Sequence, residues 1–190
     1  MEFVTHFNLV IAFVFALIWI GIVSFLRLKK GKSFTYLLLF TIFYVYLFKV
    51  LDYTIFQFQS LLVIKHFIPN LMLRGADPGK SLNLIPLATL TAADVKTSLL
   101  NILLFIPFGF GLPFITNLRM RNVVIVGTLA SIAIESLQLI TGLIGGITFR
   151  IADINDVIFN TVGVIVGCIL YSVFMHICRR LFPAATQYIH

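Results

Sequence analysis

Twenty consecutive residues, Phe7 to Leu26, carry no charged side chain. Such a segment is about 30 Å long as an α-helix, the thickness of a bilayer's hydrocarbon core. Four more apolar runs follow: Phe34–Leu51, about Leu99–Ile115, Val123–Ile140 and Val157–Ile177. A chain crossing lipid must satisfy its backbone polar groups within each segment, so these runs predict helices. The composition agrees. Of 190 residues, 60% are hydrophobic and 11% charged, with mean hydropathy +1.06. A soluble domain carries roughly a quarter charged residues, and disorder needs still more charge. The expected fold is all-α: a polytopic transmembrane bundle of five spans, residues 1–190 forming one transmembrane domain.

Phe7–Leu26 does not read as a cleaved signal peptide. No Lys or Arg precedes it, the apolar run is long, and no small-residue cleavage site follows. The third span holds Pro107, Gly109, Gly111 and Pro113. Each proline removes a backbone donor, freeing the carbonyls of Leu103 and Gly109, so a kink is expected there. Thr141–Ile151, with Gly142, Gly145 and Gly146, reads as a turn or re-entrant loop. Pro69–Lys80 reads as a loop, and Tyr53–Ile68 suits either an extension of the second span or an interfacial segment. Lys49 and Asp52, three apart, suit an interfacial ion pair.

The chain has fourteen Lys and Arg against seven Asp and Glu, a net charge of +7. In a soluble domain this surplus would point to nucleic acid. In so apolar a chain it orients helices, because cytoplasmic loops collect Lys and Arg. Arg27, Lys29, Lys30, Lys32, Arg119, Arg121, Arg179 and Arg180 fall on one side of the five-span topology. Lys65, Arg74, Lys80, Lys96 and Arg150 fall on the other. This bias places the N-terminus outside and the C-terminus in the cytoplasm. The lipid bilayer is the expected partner, and nucleic acid is not. Cys168 and Cys178 make neither a disulfide framework nor a metal pattern. His6, His66, His176 and His190 are isolated, so a histidine metal site is not expected.

The remaining polar residues converge on the outer half of this topology. Asn83 precedes the third span and Asn101 lies near its outer end. Glu135 and Gln138 are three apart on one helix face. Arg150, Asp153, Asp156 and Asn160 step by three, three and four, a helical stripe at the start of the fifth span. Gly163 and Gly167 continue that stripe as GxxxG, which permits close helix approach. Ionisable groups within membrane spans usually face the bundle interior and pair with one another. Glu135 is the deepest acid, and Arg150 is its natural partner. Asn83, Asn101, Gln138 and Asn160 also suit hydrogen bonds that glue helices together.

Four segments carry a resemblance: Asn83-Leu-Ile-Pro86; Asn101-Ile-Leu-Leu-Phe-Ile-Pro-Phe-Gly-Phe110; Glu135-Ser-Leu-Gln138; and Arg150-Ile-Ala-Asp-Ile-Asn-Asp-Val-Ile-Phe-Asn-Thr-Val-Gly163. In this order and spacing they resemble the VanZ-like family of bacterial membrane proteins, over a core of about 83–167. Leu87 departs from the family, which commonly has Phe after the proline. The first two spans match only in character. The resemblance implies a multi-pass protein of the bacterial cell membrane, linked to glycopeptide resistance and mainly to lipid-tailed teicoplanin. No cofactor follows from it.

Two functional readings follow. In the first, Asn83, Asn101, Glu135, Gln138, Arg150, Asp153, Asp156 and Asn160 line an outward-facing pocket without catalysis. The pocket takes the polar head group of a lipid-linked wall precursor or of a lipoglycopeptide. In the second, an intramembrane hydrolase or transferase acts on a lipid-linked cell-envelope substrate. Glu135 is then the candidate general base, Arg150 holds a phosphate, and Asp153 with Asp156 binds Mg²⁺. No Ser-His or Cys-His pair supports nucleophilic catalysis, which favours the first reading.

Overall fold

The fold was analysed in a computed structural model that describes residues 2–56, 82–83, 85–86, 92–145 and 152–182. The all-α expectation holds. Five helices are long and apolar enough to cross a membrane. The chain folds as two compact units, Met1–Leu71 and Met72–His190.

In the first unit, α1 (Glu2–Leu28) and α2 (Phe34–Leu51) form a helical hairpin. The turn between them is sharp because Gly31 takes φ +61°, a left-handed conformation that glycine adopts without cost. Ser33 then caps α2, its side chain accepting a hydrogen bond from the Tyr36 amide. The hairpin is pinned by Trp19 Nε1, which donates to Thr41 Oγ1 at 3.1 Å, and by the Tyr44 hydroxyl, which donates to the Phe15 carbonyl at 2.8 Å. Phe15 also stacks obliquely on Phe48, ring centroids 4.9 Å apart. A single π-helical turn, Asp52–Phe56, extends α2, so the start of Tyr53–Ile68 continues the second span. The rest of that stretch and Pro69–Lys80 lie outside the described residues. Lys49 pairs with Asp52 at 3.3 Å, as the spacing predicted.

The second unit contains α3 (Ala92–Ile115), α4 (Met120–Gly145) and α5 (Ile154–Leu181). A two-residue parallel bridge joins β1 (Leu82–Asn83) to β2 (Ala152–Asp153). α5 packs against both α3 and α4, most extensively against α3. Glycine makes that approach close. A Cβ built on Gly163 would strike the Ile102 carbonyl oxygen, and one on Gly167 would strike that of Ile106. Facing them, a Cβ on Gly109 would strike the Val164 carbonyl oxygen. Lipid gives helices no hydrophobic reason to associate, so such contact through small residues supplies the packing. Val164 is fully buried in this seam, and Phe105 of α3 and Val123 of α4 are fully buried too. Toward the other end, Phe110 and Phe114 of α3 meet Tyr171 and Phe174 of α5 edge-on. Large apolar side chains such as Leu103, Leu129 and Ile169 stay outside, as lipid-facing residues do.

Several helix boundaries lie beyond the apolar runs read from the sequence. α3 begins at Ala92 rather than near Leu99, since a helix continues beyond its apolar run once it leaves the hydrocarbon. Pro107 and Pro113 lie inside it, as in the predicted third span. α4 continues to Gly145, so Thr141–Gly145 is helix and not turn or re-entrant loop. A glycine inside a helix costs only about 1 kcal/mol relative to Ala, too little to stop a helix held on both sides of it. Residues 146–151 lie outside the described residues. α5 begins at Ile154, three residues before the predicted start, because Asp153 caps it.

Candidate functional site: a polar cluster at one end of α3, α4 and α5

The cluster is organised by the start of α5. Asp153 sits in extended conformation at the N-cap, and its Oδ1 accepts from the Asn155 amide at 2.9 Å. This satisfies one of the donors a helix leaves open at its first turn. The same oxygen accepts from Asn83 Nδ2 at 3.1 Å, next to the β1–β2 bridge. Asn83 Oδ1 in turn accepts from the Ile85 amide at 3.2 Å, closing the turn after β1. From α4, Glu135 Oε2 accepts the Asp153 amide at 3.4 Å. One carboxylate and its own backbone thus join β1, α4 and α5.

One turn further along α5, Asp156 Oδ1 accepts from Asn101 Nδ2 of α3 at 2.5 Å. Asp156 lies in the first turn, where the partial positive charge of the helix terminus favours a carboxylate. One more turn on, Asn160 Nδ2 donates to Ser131 Oγ of α4 at 2.8 Å. Thr128 and Thr161 then share a hydrogen bond at 3.1 Å. The polar groups therefore form a ladder between helices, descending from the acidic end into the apolar seam.

Burial is graded along this ladder. Asn83, Asp153 and Asp156 are half-buried, whereas Asn101, Glu135, Gln138, Asn155 and Asn160 are buried. Asn160 Oδ1 is buried and accepts no hydrogen bond among the described residues. A buried acceptor of this kind is costly unless a donor reaches it.

Of the eight residues read from the sequence, the structure joins Asn83, Glu135 and Asp153 in one set of hydrogen bonds and pairs Asn101 with Asp156 one turn along α5. Asn160 lies one turn below, and Gln138 is buried on the Glu135 face of α4. Arg150 lies outside the described residues, and so does its expected pairing with Glu135. Among the described residues no three His, Cys, Asp or Glu side chains are grouped to hold a metal ion. Two contributors were missed. Asn155 is buried beside the cap. Ser131 is fully buried and receives Asn160. Thr128, Ser131, Glu135 and Gln138 step by three, four and three, so the signal for Ser131 was its place on that face.

A sequence model of the VanZ/LLP1 family matches residues 34–175, well over half of the chain. The chain belongs to the VanZ/LLP1 family. The match takes in α2 as well as every polar residue of the cluster, and so reaches beyond the 83–167 core that the motifs outlined. No curated protein and no solved structure matches the chain. As a VanZ/LLP1 member it is a membrane protein with multiple apolar helices, and its polar cluster lies within the family region.

Proposed function

We propose that the cluster is an outward-facing binding site in the bacterial cell membrane, with the N-terminus outside and the C-terminus cytoplasmic. It receives the polar head group of a lipid-linked wall precursor, or of a lipoglycopeptide such as teicoplanin. The observation that carries this reading is the graded burial: half-buried carboxylates at Asp153 and Asp156 above buried Asn101, Glu135, Gln138 and Asn160. A purely structural ion network needs no such rim. The carboxylates accept hydrogen bonds from hydroxyl or ammonium groups of the head group, and Asn160 Oδ1 offers a deeper acceptor. Asn83 is held in place to do the same at the rim. Arg150, three residues before Asp153 in sequence, supplies the cation for an anionic part of the ligand. The ligand's hydrocarbon tail remains in the bilayer against the apolar outer faces of the helices. The energetics suit binding: a hydrogen bond to a charged group contributes about 1.5–3 kcal/mol, more than a neutral one.

The test uses purified full-length protein in nanodiscs and fluorescently labelled teicoplanin. The wild type binds saturably. Asp156→Asn keeps an acceptor for Asn101 but removes the charge, and it weakens binding at least about tenfold at unchanged thermal stability. Expression of the wild type, and not of this variant, lowers susceptibility to teicoplanin more than to vancomycin. Absent binding together with unchanged susceptibility to both antibiotics overturns the proposal. Ligand turnover that is abolished in Glu135→Gln would replace binding by the hydrolase or transferase reading.

A further inference from the structure

The α1–α2 hairpin contains a groove of about 290 Å³, lined by Ala12, Phe15, Ala16 and Trp19 of α1 and by Thr41, Tyr44, Val45 and Phe48 of α2. Its floor is low because Ala12 and Ala16 are small, and its walls are aromatic. Every polar group on that wall is already engaged. Trp19 Nε1 donates to Thr41 Oγ1, Thr41 Oγ1 donates to the Leu37 carbonyl at 2.8 Å, and the Tyr44 hydroxyl donates to the Phe15 carbonyl. The groove therefore presents carbon to its occupant and suits a hydrocarbon chain.

Charge identifies the other end of that occupant. The turn that closes the hairpin carries Arg27, Lys29, Lys30 and Lys32, all exposed, with no acidic residue among them. The ion pair found among the described residues is Lys49–Asp52, at the opposite end of α2. The turn is held in shape: Arg27 Nη1 donates to the Lys32 carbonyl at 3.1 Å, and Lys32 Nζ lies 4.4 Å from the centre of the Tyr36 ring. Trp19 precedes Arg27 by eight residues, about 12 Å along the helix. The groove runs on to Ala12, about 22 Å from Arg27, so a lipid whose phosphate sits at the turn enters it with the distal half of its acyl chain.

We propose that the hairpin is a specific site for an anionic phospholipid of the leaflet that the 27–32 turn faces, with head group on the four cations and one acyl chain between α1 and α2. This site shares no residue with the polar cluster, and the proposal does not rest on the role proposed for that cluster.

Trp19 is the chain's single tryptophan, so its fluorescence reports on groove occupancy directly. Full-length protein in phosphatidylcholine nanodiscs is titrated with phosphatidylglycerol or phosphatidylcholine brominated at mid-chain, bromine being a contact quencher. Brominated phosphatidylglycerol is expected to quench with an apparent affinity at least about fivefold higher, the factor that one basic residue at a membrane surface contributes. A variant carrying Lys29→Gln, Lys30→Gln and Lys32→Gln is expected to lose most of this preference. Ala16→Leu, which fills the groove, is expected to reduce quenching by both lipids. Equal quenching by the two lipids in the wild type overturns the proposal. A preference that survives the triple Gln variant, or quenching that Ala16→Leu leaves unchanged, also overturns it, since the signal would then come from lipid around the hairpin rather than from the site.

Discussion

Replacing Gly167 by Ala tests the packing that brings the polar residues together. A Cβ at this position would strike the Ile106 carbonyl oxygen, lie 2.7 Å from the Phe110 amide nitrogen and lie 2.9 Å from Gly109 Cα. All three are backbone atoms, so no side chain can swing away. α3 and α5 must separate by roughly 0.5–1 Å, a gap that forfeits a quarter to a half of each contact's dispersion energy along the seam. Overpacking of this kind costs about 1–3 kcal/mol, against which Ala regains up to about 1 kcal/mol of helix propensity. With three backbone atoms struck, the overpacking cost lies in the upper part of that range, about 2–3 kcal/mol, so the expected net loss is about 1–2 kcal/mol. Gly21→Ala is the internal control, because nothing lies within 4 Å of its added Cβ. It retains the propensity gain and should be neutral or stabilising. Unfolding in mixed micelles by titration with SDS, followed by far-ultraviolet circular dichroism, measures both. Gly167→Ala at wild-type stability would refute the close glycine contact between α3 and α5.

Other perturbations give distinct outcomes. Ser131→Ala leaves the Asn160 amide without its partner. Interhelical hydrogen bonds in membranes average about 0.6 and reach about 1.7 kcal/mol, so a double-mutant cycle with Asn160→Leu should return a coupling in that range. Asp52→Ala should change stability by less than about 0.5 kcal/mol in the same titration, since the Lys49 side chain is 68% exposed and exposed ion pairs contribute little.

Much of this architecture was legible because lipid permits so few backbones. Phe34–Leu51 was bounded correctly, since Ser33 provides a cap at one end and a polar residue, Asp52, stands at the other. The start of α3 was not, because Asp94 and Lys96 mark where the chain leaves hydrocarbon rather than where the helix begins. The glycines at 142 and 145 suggested a break, but a glycine costs a helix only about 1 kcal/mol and α4 continues to Gly145. In the cluster, the steps from Asp156 to Gly167 and from Glu135 to Gln138 do lie on helices, whereas Asp153, read as part of the same helical stripe, caps α5 in extended conformation. The specific bonds, Asn83 to Asp153 and Asn101 to Asp156, join elements far apart in sequence, and no local spacing encodes them. Ser131 escaped notice because a serine in a membrane helix is commonplace until the residue opposite it is known.

Access to the cluster from outside the cell is the central claim, and cysteine labelling measures it directly. Ile85 is 66% exposed at the rim, its amide bonded to Asn83 Oδ1. In cells expressing Ile85→Cys, with both native cysteines replaced by alanine, a membrane-impermeant maleimide added to the medium should label the protein, and teicoplanin should slow that labelling. Labelling only after the membrane is broken would place the cluster on the cytoplasmic side and contradict the proposed site.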